Sequence, residues 1–441
     1  MTDPIAIIIL IGGFAILMAL KVPVAFALAL SAFASAFYLG DATGSFTTAH
    51  FQAIIQRLVS GIRPFNFMAI PFFIIAGNLM GEGGIGKRMI DLADALVGRV
   101  RGGLAMVNVL SSKFFGTVSG SVVADTSALG TIMIPMMEKQ GYDKEFATAN
   151  TVTSSIVGLL IPPSHNMIIF AMAAGGGVSI AALFLAGIGP ALLLGVGLMI
   201  VSYVISVKKK YPKGEKYTFL ATLKLLWDGI LGLFTIVIIV GGITSGFFTA
   251  TEASVIAVVY AFIITFFVYR EIPLSRFWGI MKKSVRTVAM VMAIIAASSA
   301  FGYMMTILRV PDLATRGILA ISDNPLVILL LINIILLVLG LVMDMAPMIL
   351  ITTPILLPVA TEVAGMSPVQ FGIVLLLNLG ISLITPPVGT VLFVGCSIGR
   401  TTIEAVIKPL LPYYAVMIFV LLLVTYFQQI SLALPRVFGL M

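Results

Sequence analysis

Lys113–Met137 reads KFFGTVSGSVVADTSALGTIMIPMM, and its interruptions decide how the chain folds. It is apolar overall, yet Ser119, Gly120 and Ser121 break it, and Asp125 and Thr126 follow just beyond. Small residues at a break let the backbone turn tightly and leave amides and carbonyls unpaired. Inside a bilayer those groups must face protein, water or a ligand. A plain span is therefore excluded, and the pattern predicts a re-entrant helical hairpin with its tip near Ser119–Ser121.

Lipid is the solvent this composition demands. Of 441 residues, 60% are hydrophobic and only 10% are charged, with a mean hydropathy of +1.15. A soluble domain carries about a quarter charged residues. Apolar runs such as Pro4–Leu20, Ser179–Val207, Ile230–Gly246, Ser254–Val268, Val288–Leu308, Pro325–Val342 and Ala405–Phe427 recur along the chain. They are continuously apolar rather than alternating, which predicts helices and not a barrel. No basic region precedes the first run, so it reads as a span or uncleaved anchor rather than a removed signal. One cysteine, Cys396, excludes a disulfide framework, and two histidines, His50 and His165, leave little for a metal or catalytic cluster.

The net charge of +8 fits loop charges that orient spans better than nucleic-acid binding. Basic clusters lie at Lys87/Arg88/Arg99/Arg101, at Lys208–Lys210 with Lys213 and Lys216, and at Arg270/Arg276/Lys282/Lys283/Arg286. Placed in the cytoplasm, they predict a periplasmic N-terminus and an odd number of crossings before Val207, with Arg309 and Arg316 as exceptions. Four segments are amphipathic and suit surface helices: Phe51–Ile62, Ile85–Val100, Tyr217–Trp227 and Ser275–Val285.

An internal repeat runs through the chain at an offset of about 225 residues. AGNLM at Ala76–Met80 parallels FGYMM at Phe301–Met305, Gly141 parallels Gly365, and Phe146 parallels Phe371. Pro162–Pro163 likewise parallels Pro386–Pro387. With an odd number of crossings per half, duplication predicts an inverted-topology repeat with a site at the midplane interface. The expected bounds are residues 1–207 for the first repeat, with hairpin 1 near 102–137 and a broken helix at 145–175. Residues 208–228 form a linker and surface helix. Residues 229–441 form the second repeat, with hairpin 2 near 325–360 and a broken helix at 368–397.

The second hairpin is LGLVMDMAPMILITTPILLP, Leu339–Pro358, with its tip at Gly340–Pro347, including Met343 and Asp344. Each hairpin precedes a helix broken at Pro-Pro: SSIVGLLIPPSHNMI (Ser154–Ile168) and NLGISLITPPVGTVLF (Asn378–Phe393), which includes Gly380 and Gly389. Consecutive prolines remove two amide donors and free the carbonyls a turn earlier. Freed carbonyls, with hydroxyls of Ser154, Ser155, Ser164, Thr385 and Thr390, are hard oxygen ligands suited to Na⁺, while half-helix N-termini suit an anion. One such break alone would be a kink; its recurrence after each hairpin favours a site. Asp125 and Asp344 are costly at membrane depth, either as functional groups or as N-caps of the hairpin helices. His165, beside Pro163 and Asn166, is a proton or anion ligand or a structural histidine. No HExxH motif, phosphate loop or Ser/His frame points to an enzyme.

At these residues the chain resembles the large membrane subunit of tripartite ATP-independent periplasmic (TRAP) transporters. The carrying stretches are GSVVADTSALGTIMIPMMEKQGYDKEFA (Gly120–Ala147), IPPSHNMIIFA (Ile161–Ala171), GGITSGFFTATEAS (Gly241–Ser254) and the run from Pro354 to Val394. The resemblance implies an all-α, elevator-type carrier in the bacterial inner membrane. It implies a small four-helix membrane subunit and a periplasmic binding protein as partners, with no organic cofactor. It also implies import of an organic acid, such as a C4-dicarboxylate, a sialic acid or a related sugar or keto acid, coupled to Na⁺. The implied sites are Ser119, Gly120, Ser121 and Ile161–Asn166, then Met343, Asp344 and Thr385–Gly389. Na⁺ would be held largely by backbone carbonyls at Ser119, Ser121, Ile161, Pro162, Gly340, Met343, Thr385 and Pro386. A self-sufficient Na⁺/divalent-anion symporter of the same architecture is the alternative; a channel is disfavoured.

Overall fold

The computed structural model describes residues 3–42, 48–214 and 218–441, and the regular elements among them are helices. Six are long and apolar enough to cross a membrane: Ile180–Lys208, Thr222–Thr244, Ala250–Tyr269, Leu274–Ile307, Met345–Val363 and Ile403–Tyr426. A seventh candidate is the pair Ala69–Glu82 and Ile85–Val97, bent by 68°. Their starts follow local chemistry. Thr249 and Glu252 form a capping box, Ser121, Ser179 and Thr402 cap with hydroxyls, and Asn324 caps ahead of Pro325.

The repeat is visible in the order of elements. Gly103–Ser119 and Val122–Lys139 form hairpin 1, followed by Lys144–Leu159 and His165–Ala173 as a broken helix. Pro325–Gly340 and Met345–Val363 form hairpin 2, followed by Pro368–Ser382 and Thr390–Gly399. Even the elbow ahead of each hairpin recurs. A left-handed residue, Gly84 or Arg309, separates Ala69–Glu82 from Ile85–Val97 and Leu274–Ile307 from Val310–Leu319. The hairpins run a few residues longer than the sequence predicts, because Lys139 and Val363 continue their helices to the next left-handed glycine, Gly141 or Gly365.

The feet of the two hairpins are tied to different parts of the bundle. Lys144, at the foot of hairpin 1, donates to the carbonyl of Arg400, the far end of the second broken helix (3.3 Å). At the foot of hairpin 2, Tyr426 donates to the Leu326 carbonyl (3.0 Å) and Gln370 to the Val424 and Thr425 carbonyls. The return arm of each hairpin packs on the distal half of the other repeat's broken helix. One large core joins the hairpins and broken helices. A smaller one, with Phe14 tilted on Phe301 at 5.6 Å, joins the N-terminal helices to Leu274–Ile307 and touches hairpin 2 at Met343.

Two expected surface helices are not separate elements. Tyr217 lies outside the described residues, but the helix from Phe219 continues through Trp227 to Ile236. Ser275–Val285 is the start of Leu274–Ile307. Neither has a glycine pair or proline at the junction to break it, whereas Gly83–Gly84 makes one ahead of Ile85–Val97. The expected linker also starts late, since the helix Ile180–Lys208 absorbs Lys208. Residues 209–214 fold onto hairpin 1: Gly102 donates to the Pro212 carbonyl, and Tyr211 donates to Asp143 (2.9 Å). Lys209 pairs with the same carboxylate.

Candidate functional site

Gly120 ends the first arm of hairpin 1 in the left-handed region (φ +56°), where an L-side chain is strained. A Cβ there would lie 2.7 Å from the Pro163 carbonyl oxygen and 3.1 Å from Ser164 Cα. The tip thus seats directly on the first Pro-Pro break. Ser121 caps the return arm through Ala124 N (3.4 Å). Lower down, the backbones of Gly116 and Gly158 meet where a Cβ on either would clash. Glycines at both positions are what let hairpin and broken helix approach so closely.

Asp125 lies beneath that tip and is 1% exposed. Its carboxylate faces the buried Ser112 hydroxyl and, among the described residues, no cationic group, and the Ser164 hydroxyl is buried without a partner. Thr126 donates to Ser155 (2.9 Å), Ser155 to the Val152 carbonyl and Ser154 to the Asn150 carbonyl. Asn166 is buried at the start of the distal half-helix. Asp125 is not an N-cap, since Ser121 holds that position.

In the second half, Gly340 ends the first arm and lies against Ser382, whose hydroxyl reaches the Leu337 carbonyl (3.3 Å). Asp344 is the N-cap of the return arm, accepting from Met345 N at 2.9 Å, so the capping reading holds for it. Thr385 donates to the Ile381 carbonyl (2.8 Å), and Gly389 is left-handed at φ +32°. The Thr390 hydroxyl is buried without a partner. Gly380 lies where the two broken helices cross, within 3.1 Å of Ile156 and Leu159 for an added Cβ, so it sets their approach. Both Pro-Pro bonds, Pro162–Pro163 and Pro386–Pro387, are cis.

The two broken helices therefore cross at Gly380, just before their breaks, and each has its own hairpin tip packed on it. Unpartnered buried oxygens are costly, and a cation satisfies them without a carboxylate cage. Among the described residues no cluster of three His, Cys, Asp or Glu suits a metal ion. Hydroxyls and backbone carbonyls instead supply hard oxygen, the donor set an alkali cation prefers. Sequence reasoning missed the buried asparagines. Asn108 donates to Thr151 (2.7 Å), while Asn378 donates to the Asn333 side chain and carbonyl (both 2.9 Å) and Asn333 to Thr425 (3.0 Å). Each tethers a hairpin arm to its broken helix, and an asparagine inside an apolar run was the available signal.

Residues 11–430 match the family described as the tripartite ATP-independent periplasmic transporter, DctM component. The sialic acid TRAP transporter large permease protein of Vibrio cholerae is 39% identical, with 87% of this chain and 89% of that protein covered. The C4-dicarboxylate TRAP transporter large permease protein of Pseudomonas aeruginosa is 37% identical, covering 88% and 90%. Among solved structures, the Alcanivorax borkumensis YdaH transporter superposes with a TM-score of 0.64 over 86% of this chain and 88% of that one. At 13% identity that likeness concerns the fold.

Proposed function

The chain belongs to the DctM component family of TRAP transporters and is a multi-pass large permease subunit; from that premise we propose that it imports an organic anion by coupling it to Na⁺. The observation that carries this reading is a hairpin tip glycine seated on a Pro-Pro-broken helix, made twice: Gly120 on Pro163 and Gly340 on Ser382. Around these pairings lie buried side-chain oxygens, those of Ser164 and Thr390 without a donor and those of Asp125 with only the Ser112 hydroxyl beside them. The cation would be held by the Ser119, Ser121, Ile161 and Pro162 region with Asp125 and Ser164. Its second station would be the Gly340, Met343, Thr385 and Pro386 region. The anion would lie between them, facing the N-terminal amides of His165–Ala173 and Thr390–Gly399.

Broken helices and hairpins share one large core, which Ile280 and Ile295 of Leu274–Ile307 also enter, while the N-terminal helices pack on the later part of that span in a smaller one. The smaller core is the part we assign to the fixed frame of an elevator. The family and the relatives support a small membrane subunit and a periplasmic binding protein as partners. Sialic acid and C4-dicarboxylates, transported by named relatives, define the substrate class to test first. An inner-membrane location with a periplasmic N-terminus follows from the basic loops.

Uptake by the chain with its membrane partner in liposomes is the test. Transport should require a Na⁺ gradient, and Ser119→Ala or Thr385→Ala should raise the Na⁺ concentration for half-maximal uptake with expression unchanged. Flux of channel-like size without any ion gradient would overturn the carrier reading. Uptake by the chain alone, with neither partner, would favour the self-sufficient symporter.

A further inference from the structure

The carbonyls two residues before each Pro-Pro pair, Leu160 and Ile384, are equivalent in the repeat but are held differently. The Leu160 oxygen is packed so closely on Gly187 that a Cβ there would run into it. The Ile384 oxygen instead accepts a short hydrogen bond from the Tyr414 hydroxyl, 2.6 Å away. The Thr385 hydroxyl stands beside the same phenol. Tyr414 lies on the span Ile403–Tyr426. The position equally far past the first Pro-Pro pair is Pro190, which has no hydroxyl to offer. Its neighbour Tyr413 turns the other way, into a buried triad with Ser202 (3.0 Å) and Asn150 (3.3 Å).

We propose that Tyr414 is a positioning residue of the second break: its hydroxyl holds the Ile384 carbonyl out of the ligand set and so fixes the Thr385 and Pro386 carbonyls toward the transported cation. The Ile384 carbonyl, lying just past the helix end at Ser382, has no helical donor and takes any donor or cation within reach. Without Tyr414 the Ile384 oxygen becomes a competing acceptor, and the peptide planes from Ile384 to Pro386 lose their common anchor. The first break needs no such residue, because packing on Gly187 and burial beneath hairpin 1 already confine it. This inference rests on the reading of the second break as a cation station.

The test requires no knowledge of the organic substrate. In a Cys396→Ala background, Val388→Cys places a thiol in the exposed part of the break (Val388 is 37% exposed). Its maleimide labelling is followed on the full chain in detergent while Na⁺ replaces choline. Na⁺ should slow labelling in the parent, and Tyr414→Phe should raise the half-protecting Na⁺ concentration about three- to tenfold, the loss of one hydrogen bond. Tyr413→Phe should lower the melting temperature and leave the Na⁺ titration in place. Equal titrations for Tyr414→Phe and the parent overturn the proposal. If the phenylalanine variant is not monodisperse, Tyr414→Met, also without a donor, is held to the same criterion. Absence of Na⁺ protection in the parent itself removes the cation station, and the inference with it.

Discussion

At the first interruption Gly120 and residues 160–164 are buried, with the hairpin tip seated on the Pro163 carbonyl. At the second, Asp344, Pro387 and Val388 are exposed, and Val342 is exposed at the tip itself. Two copies of one plan thus differ in access. Pro387 and Val388 at the second break are uncovered by the chain, whereas residues 160–164 at the first are covered, with hairpin 1 seated on them. The cause lies in single residues. Gly116 on Gly158 brings helix backbones together in the first half, and Gly340 on Ser382 leaves a side chain between them in the second.

The sharpest way to break that contrast is to place a methyl at each left-handed tip or break glycine. Gly120→Ala adds about 1–2 kcal/mol of backbone strain, and its Cβ meets Pro163 O and Ser164 Cα, backbone atoms that cannot yield. Uptake per molecule should fall to background. Gly389→Ala bears similar strain, but its nearest contact is looser, 3.0 Å from Thr385 O, beside exposed Val388. It should retain measurable uptake, several-fold reduced. Equal losses in liposomes would mean that the two interruptions are equally tight.

The two aspartates sharpen the same comparison. Asp125 is buried with only the Ser112 hydroxyl beside it, and no acidic residue occupies its place in hairpin 2; Asp344 is an exposed cap. If the proposed cation station includes Asp125, Asp125→Asn removes its carboxylate and Na⁺-driven uptake should drop about tenfold or more. Asp344→Asn keeps a capping oxygen and should change little, while Asp344→Ala should cost about 1 kcal/mol of stability. Uptake by Asp125→Asn equal to the parent would remove that aspartate from the cation station.

Much of this was legible in sequence, for a physical reason. Glycines, prolines and polar residues inside apolar runs violate what lipid permits, so Ser119–Ser121, Pro162–Pro163, Asp344 and Pro386–Pro387 stand out by themselves. What could not be read was pairing across the fold. Nothing local distinguishes Asp125 from Asp344, or tells that Gly340 meets Ser382 and Gly116 meets Gly158. The amphipathic start of Leu274–Ile307 resembled a surface helix because charge at its head says where it enters lipid, not where it ends.

The tethers allow a quieter comparison. In hairpin 2, Asn378 serves Asn333 twice and Asn333 serves Thr425, whereas the asparagine of hairpin 1 makes one bond, Asn108 to Thr151, beside the hydroxyl bond of Thr126 to Ser155. Asn378→Ala leaves buried Asn333 groups unpaired and should cost about 2–3 kcal/mol; Thr151→Val should cost about 1 kcal/mol. Thermal melting of the two purified variants ranks them, and the reverse order would mean that hairpin 1 depends more on its tether.

The smallest difference lies at the hairpin feet. Tyr211 stacks on Tyr142 at 4.4 Å and donates to Asp143, whereas Tyr426 donates to the Leu326 carbonyl at an exposed edge. The Lys209 ammonium, opposed by partial burial and aided by the Tyr211 phenol, holds Asp143 below its ordinary value of 3.8. A depressed carboxylate contributes its stability above the unfolded value and loses it only as pH falls through the folded one. The clasp is therefore fully formed at neutral pH and opens only in acid below about 4. Since Asp143 is half exposed, Tyr211→Phe should cost about 1 kcal/mol rather than the larger value of a buried charged hydrogen bond. Tyr426→Phe should cost about half that. At pH 8, trypsin should cut after Lys209, Lys210 or Lys213 faster in Tyr211→Phe than in the parent, while Tyr426→Phe leaves those sites unchanged. Equal cleavage in all three proteins would mean that the Pro212–Gly102 bond and the aromatic stack hold residues 209–214 to hairpin 1 without the phenol.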